Sequence, residues 1–291
     1  MRQSERIMTL ARLGLAVALA AGLARWTVNH AHAAATDWVG DGHTAVRLIT
    51  ATDSLTTAPA LDAALEFRFG HGWHGYWRTP GDAGIAPTID WSGSDNVAGD
   101  EITWPAPHRL VIEDLQNGVY EKQVILPIKL SLKHAGLPTR LRAMIAYAVC
   151  SDVCVPYQAE LSLSLPVGTG TVAPEASLIE SARKSVPGTA QAAGIDIVAI
   201  HVEGGSAKRR LVVELRSKNE PFVRPDLFIE GAGNGLPAAP EVELGDGGMA
   251  VRLTVHLPTQ PRTERPLTLT LTDGDRAAEF KLPAGMPRSE R

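Results

Sequence analysis

The sequence predicts an all-β protein built from short antiparallel strands. Segments in which apolar and polar residues alternate recur along the chain, and glycine, proline, asparagine and aspartate separate them. Leu161-Ser-Leu-Ser-Leu165 alternates strictly, as a half-buried strand does. Helical periodicity is scarce. Short strands at such spacing are typical of antiparallel β-sandwiches.

Ten segments carry the strand pattern, five on each side of a region rich in small residues. They are residues 45–50, 61–69, 123–130, 140–149 and 158–165, then 195–201, 210–216, 251–257, 267–272 and 277–282. The exception is residues 174–185, where Leu178, Ile179 and Ala182 can line one side of a short helix.

The small-residue region, 166–194, marks the expected domain boundary, because it is rich in Gly, Pro, Ala, Ser and Thr. We expect a first domain over residues 34–168, a linker over 169–193 and a second β-sandwich over 194–291. Aromatic residues, which anchor interfaces and large cores, separate the two parts. The first holds Trp38, Trp73, Trp77, Trp91 and Trp104 with all four tyrosines, and the second has neither type. The second domain is therefore expected to be a spacer, platform or docking module.

Residues 1–33 have the pattern of a secretory signal. Arg2, Arg6 and Arg12 precede an apolar run at residues 13–23, and Ala31-His32-Ala33 is a typical cleavage site. An uncleaved membrane anchor is the alternative, although the run is short for a bilayer. We expect an exported, periplasmic protein that is not embedded in the membrane after cleavage, in a compartment where disulfides persist.

The charge balance is mildly acidic. The chain carries a formal net charge of −4, and without the four arginines and one glutamate of residues 1–33 it would carry −7. This argues against a nucleic-acid partner. Common hydrolase and phosphate-binding motifs are absent from the sequence.

Cys150 and Cys154 are the only cysteines, and they fall together in Tyr147-Ala-Val-Cys-Ser-Asp-Val-Cys-Val-Pro156. They lie between two predicted strands, where a connection can present sulfur at the surface. Three interpretations stay open: a redox switch, a metal clip and an inert staple. Closing so short a loop stabilises the fold by only about 2 kcal/mol, which favours the switch over the staple.

A metal clip would use both thiolates with His71 or His74, and Cu(I) would suit it better than zinc, since a second cysteine pair is missing. We predict no bound metal or cofactor. No lysine or arginine occurs between Arg142 and Arg183, and Asp152 lies between the cysteines. Without a cation to lower a thiol pKa, the pair is better suited to being attacked as a disulfide by another protein's thiolate.

The cysteine run resembles the redox loop in the amino-terminal periplasmic domain of the thiol:disulfide interchange protein DsbD, and more closely that of the related ScsB proteins of copper tolerance. Further similar segments are Gly72-Trp-His-Gly-Tyr-Trp-Arg-Thr-Pro-Gly-Asp-Ala-Gly84, Ile89-Asp-Trp-Ser-Gly-Ser94, Trp104-Pro-Ala-Pro107 and Val124-Ile-Leu-Pro-Ile128. Together they cover about residues 38–166.

The resemblance implies an immunoglobulin-like sandwich that relays electrons to or from a thioredoxin-fold partner, as a protein-disulfide reductase component. It implies that Cys154 forms mixed disulfides and that Cys150 resolves them. Tyr76 and Trp77 match aromatic positions beside the redox loop, with ordinary core packing as the alternative. The segment 112–118 corresponds to a cap loop, which makes Asp114 and Leu115 candidate binding residues.

The sequence departs from DsbD in two respects. Only three residues separate its cysteines, a spacing that ScsB-like proteins share. The membrane and thioredoxin domains of DsbD are not found in it, so we expect a separate membrane protein to donate electrons. A copper-handling or protein-binding module, in which the cysteines bind Cu(I) or form a staple, is the alternative function.

Overall fold

Short antiparallel strands dominate the structure, a computed structural model that describes residues 34–205, 208–233, 235–257 and 266–283. The predicted signal, residues 1–33, lies outside the described residues. The prediction of an all-β protein is confirmed: the described residues form eighteen strands, one α-helix and one 3₁₀ turn. No helix among these residues has both the length and the apolar character needed to cross a membrane.

The first part of the chain contains β1 (Val39–Gly40), β2 (Thr44–Thr50), β3 (Ala60–Phe69), β4 (His74–Gly81), β5 (Thr88–Asp90), β6 (Val97–Ile102), β7 (His108–Ile112), β8 (Leu115–Glu121), β9 (Gln123–Leu132), β10 (Thr139–Cys150) and β11 (Cys154–Leu165). One sheet has the order β1-β2-β3-β9-β6. The other has the order β11-β10-β4-β8-β7, with β5 added to β10. These antiparallel sheets enclose a core that includes Leu48, Leu65, Leu126 and Leu141, which gives an immunoglobulin-like sandwich.

After α1 (Ala176–Lys184) the chain forms β12 (Ile195–Glu203), β13 (Arg210–Ser217), β14 (Asp226–Glu230), β15 (Glu241–Gly245), the 3₁₀ turn Asp246–Gly248, β16 (Ala250–His256), β17 (Leu267–Asp273) and β18 (Arg276–Leu282). A four-stranded sheet, β12-β13-β16-β15, packs on a three-stranded sheet, β14-β17-β18, around a second core.

All ten predicted strands and the predicted helix are present, with ends shifted by a few residues. The main omission from the prediction is β4. Its first four residues, His74 to Trp77, are all buried, so the segment lacks the alternation that marks a half-buried strand.

The segment 112–118, expected to be a cap loop, is a tight β-hairpin. Ile112 ends β7 and Leu115 begins β8, so only Glu113 and Asp114 form the turn. Glu113 has a φ of 53°, the left-handed conformation that closes such a turn.

The segment expected to be a linker, residues 169–193, is ordered by packing. Ile179 of α1 is buried against Ile49 and Ala64, and Arg183 donates a 2.5 Å hydrogen bond to Asp62. The amide of Ala106 also donates to the carbonyl of Ser185, at 3.0 Å.

The first core includes two residues from the second part of the chain, Phe228 and Leu236. Phe228 of β14 is 0% exposed and meets the Trp77 ring edge-on, with 5.7 Å between ring centroids. The guanidinium of Arg109 lies over the Phe228 ring, 4.5 Å from its centroid. The two sandwiches therefore share apolar packing, and their described residues belong to one compact unit.

Two arginines from the first sandwich bind carboxylates of the second. Arg78 forms a bidentate pair with Glu230, at 2.6 Å for the shortest contact, and also binds Glu279. Arg109 forms a bidentate pair with Asp226, at 2.8 and 3.0 Å. Planar, partly buried pairs of this kind fix orientation as well as supplying energy.

Replacing Phe228 with alanine should lower the free energy of unfolding by about 3–5 kcal/mol, because it leaves a cavity against Trp77. Urea denaturation measures this. The wild-type protein should unfold in one cooperative transition, because the contact between Phe228 and Trp77 is lost when either sandwich unfolds.

The matched control is Val223→Ala, because Val223 is 74% exposed and should change stability by less than about 0.5 kcal/mol. Two separate wild-type transitions that Phe228→Ala leaves in place would contradict the shared core.

Candidate functional site

The two cysteines close the end of a long hairpin. Twelve residue pairs join β10 to β11, from Thr139 opposite Leu165 to Cys150 opposite Cys154. Ser151, Asp152 and Val153 form the turn, in which the Ser151 amide donates to the Val153 carbonyl at 3.1 Å. The hairpin is therefore held by its backbone ladder along its whole length, independently of the sulfur atoms.

Cys150 and Cys154 are joined by a disulfide, with 4.1 Å between their Cα atoms. The two residues differ sharply in exposure: Cys150 is 1% exposed, whereas Cys154 is exposed at the hairpin tip. An incoming thiolate can therefore reach the sulfur of Cys154 but not that of Cys150.

The disulfide lies on the outer face of its sheet. Directly opposed residues in antiparallel strands point to the same side, and Cys150 is opposed by Cys154 on β11 and by His74 on β4. His74 is in turn opposed by Glu121 on β8. Glu121, His74, Cys150 and Cys154 thus form a row across four strands.

Tyr76 lies beside this row, two residues along β4 from His74. Its hydroxyl oxygen is 3.8 Å from Sγ of Cys154, and its ring meets the His74 imidazole edge-on at 5.4 Å. Burial raises the pKa of Tyr76 above its usual value. The phenol therefore stays protonated at neutral pH and can donate a hydrogen bond to sulfur.

The segment 82–87, which joins β4 to β5, contacts Tyr76 through Gly84. Gly84 lies against the Tyr76 ring so closely that a Cβ at this position would be 2.2 Å from it, and its φ of 101° also favours glycine. The buried side chain of Asn117 accepts a 3.1 Å hydrogen bond from the amide of Ala83 and so ties this segment to β8.

Cys150 packs in a small apolar cluster with Tyr76 and Val119, and Leu110 lies against it. The sequence analysis missed Gly84, Asn117, Val119 and Leu110. The glycine belongs to a quoted motif, but its role depends on a ring that only the folded chain brings to it.

The other sequence candidates lie away from the sulfur atoms. Trp77 points to the opposite face of β4, is 0% exposed and packs on Phe228, which is the core-packing alternative. Asp114 and Leu115 are exposed at the β7–β8 turn.

His71 and His74, the candidate metal ligands, are separated by the structure. His71 is exposed in the turn before β4, whereas His74 is buried in the strand. Among the described residues, no group of three or more His, Cys, Asp and Glu side chains is arranged to hold a metal ion.

Comparison with known proteins identifies two families along the chain. Residues 47–166 match the family described as Thiol:disulfide interchange protein DsbD, N-terminal. Residues 185–286 match a domain of unknown function, DUF8393. No curated protein sequence shows significant similarity to the chain.

The crystal structure of the N-terminal periplasmic domain of ScsB from Proteus mirabilis is similar, with a TM-score of 0.70 and 21% sequence identity. The match covers 87% of this chain and 99% of that chain, so the two share a fold across both sandwiches. Bovine butyrophilin matches with a TM-score of 0.22 and 10% identity over 79% of this chain and 92% of that chain, which is too low to indicate a shared fold.

The family match at residues 47–166 includes the complete disulfide hairpin and the Tyr76 strand. This part of the chain therefore belongs to the family of the N-terminal domain of the thiol:disulfide interchange protein DsbD, as the sequence resemblance indicated.

Proposed function

We propose that the protein relays electrons by thiol-disulfide exchange, passing reducing equivalents to or from a thioredoxin-fold partner through Cys150 and Cys154. The unequal exposure of the two sulfur atoms is the observation that carries this proposal, since Cys150 is 1% exposed and Cys154 is exposed. An exchange protein needs one sulfur that partners can reach and a second that only the first can reach.

In the reducing direction, a partner thiolate attacks Sγ of Cys154. A new disulfide forms between the partner and Cys154, the Cys150–Cys154 bond breaks, and its electron pair leaves on Cys150 as a thiolate. A second partner thiol then releases Cys154, so the partner is oxidised and this protein gains two electrons. In the opposite direction, the thiolate of Cys150 resolves the mixed disulfide.

The hairpin ladder supports a switch more than a staple. Twelve residue pairs hold β10 to β11 whether or not the sulfur atoms are bonded. Reduction can therefore proceed with little change in the backbone, which lets one folded domain serve in both redox states.

The expected setting is the periplasm, with a separate membrane protein as electron donor. The signal pattern at residues 1–33 and the similarity to a periplasmic domain of ScsB support this location. Disulfides form and persist in that compartment. The second sandwich is expected to hold β4 in place through Phe228 and Glu230, and β7 through Asp226, rather than to take part in the exchange.

Cys150→Ala should accumulate a partner-linked disulfide through Cys154. Its exposed thiolate attacks the disulfide of an oxidised partner, one partner sulfur leaves as a thiolate, and Cys150 is no longer present to resolve the product. Non-reducing electrophoresis with periplasmic thioredoxin-fold proteins measures this, and reducing agent should dissolve the adduct.

Cys154→Ala is the matched control. Its remaining thiol is buried, so its reaction with a small disulfide reagent should be at least about tenfold slower than that of Cys150→Ala. Equal trapping through either cysteine, or trapping through neither, would exclude these roles.

Removing both sulfur atoms, in a Cys150→Ala/Cys154→Ala variant, should lower the free energy of unfolding by only about 2 kcal/mol, because the closed loop is short. Circular dichroism and thermal melting, compared with wild type in reducing agent, measure this. Loss of the folded state on reduction would indicate a structural staple.

Tyr76→Phe in the Cys150→Ala background should raise the pKa of the Cys154 thiol by about one unit. A hydrogen bond to a charged group contributes about 1.5–3 kcal/mol and one pKa unit corresponds to about 1.4 kcal/mol. Thiolate absorbance against pH measures the change.

The control for Tyr76→Phe is Tyr157→Phe. Tyr157 lies on the hairpin that carries Cys154, but its hydroxyl donates to Asp41, at 2.7 Å, instead of to sulfur. An unchanged Cys154 pKa in Tyr76→Phe would show that its hydroxyl gives the thiolate no stabilisation.

A further inference from the structure

The exchange steps described above do not use His74, yet this histidine lies directly opposite Cys150. It is 5% exposed, and its Nε2 atom is buried without a hydrogen-bond partner. A buried polar atom without a hydrogen-bond partner lowers the stability of the folded state. A group that is kept at this cost beside a disulfide is a candidate for a functional role.

The backbone register places this imidazole next to the buried sulfur. His74 and Cys150 are directly opposed on β4 and β10, with both side chains on the outer face. The Cβ atoms of such pairs are about 4.5–5.5 Å apart. Cys150 therefore lies between two neighbours in the same row, Cys154 on one side and His74 on the other.

Opening of the disulfide creates a charge at this buried position. Cys150 is 1% exposed and its cluster partners, Tyr76 and Val119, are largely apolar. A thiolate left there would be poorly solvated, and a proton or a hydrogen-bond donor is needed to stabilise it.

We propose that His74 is the proton partner of Cys150, an inference that rests on the exchange function proposed above. When the Cys150–Cys154 bond breaks, the Cys150 thiolate and the imidazole together take up one proton from solvent. When the mixed disulfide is resolved, that proton leaves through the imidazole as Cys150 Sγ attacks Cys154 Sγ. The bond between Cys154 and the partner sulfur breaks, and the partner sulfur leaves with the electron pair as a thiolate.

The charges that face the imidazole fit this role. Burial lowers the pKa of His74, and the carboxylate of Glu121 on β8 acts in the opposite direction. In the disulfide form the ring is thus neutral at pH 7. The other groups facing it are Tyr76 on its own strand and Cys150 on β10, with Cys154 one strand further. A negative charge appearing on Cys150 favours proton uptake by the ring.

The test compares His74→Phe with His71→Phe, the same substitution at the exposed histidine of the preceding turn. In a Cys154→Ser background, the pKa of Cys150 should rise by at least about one unit in His74→Phe and stay unchanged in His71→Phe. Thiolate absorbance against pH measures both.

A second measurement uses the chain with both cysteines. Reduced protein is mixed with oxidised glutathione, and the closure of the Cys154–glutathione mixed disulfide is followed. At pH 7, His74→Phe should close the Cys150–Cys154 disulfide about tenfold more slowly than the wild-type protein does. Above the pKa of Cys150, the two rates should be equal. A packing defect would slow closure equally at every pH, and that result overturns the proposal, as does an unchanged Cys150 pKa.

Should His74→Phe fail to fold, the wild-type protein supplies the test. In the reduced protein the His74 ring resonances should show a second titration step that coincides with Cys150 ionisation and is absent from the disulfide form. A single step at the same pH in both forms overturns the proposal. Because none of these measurements uses a partner protein, a failure of His74 is distinguishable from a failure of partner trapping.

Discussion

The alternation of side chains along β4 is the constraint on which the rest of the structure depends. One face of this strand carries His74 and Tyr76 to the disulfide, and the other carries Trp77 into the core against Phe228. The two faces cannot be changed independently, because a shift of one residue in register would exchange them. The surroundings of the disulfide and the contact between the sandwiches are therefore set by the same strand pairing. The second sandwich, although far from the sulfur atoms in sequence, thus contacts the strand that carries His74 and Tyr76.

The disulfide lies at the end of a hairpin that its own backbone ladder holds together. The β10–β11 ladder supplies the hairpin, the apolar cluster with Tyr76 and Val119 buries Cys150, and the turn leaves Cys154 open. Each sulfur thus acquires its chemical character from its neighbours and not from the short spacing between them. A flexible loop with the same five residues would expose both sulfur atoms and lose the difference in exposure between them.

The sequence predicted the fold well and the site unevenly. Strands such as β2, β10 and β11 alternate clearly because one of their faces is buried. The ends of β2 and β10 were found to within one residue, whereas β11 begins four residues before its predicted start. The strand β4 was missed because burial on both faces removes that pattern. Tyr76 and Trp77 are adjacent in sequence and were treated alike, yet their side chains leave the strand on opposite faces. The family resemblance implied a cap loop at residues 112–118. In the structure this segment is a hairpin, and its turn spans only Glu113 and Asp114.

By itself, the sequence determined the all-β class, the single close cysteine pair and a family resemblance over about residues 38–166, because these depend on local patterns and residue identity. Only the tertiary structure decided which cysteine is exposed, that Gly84 packs against Tyr76, and that His74 lies beside Cys150. The physical reason is that exposure and neighbourhood arise from pairing between residues more than 70 positions apart, such as His74 and Cys150, which no local pattern encodes.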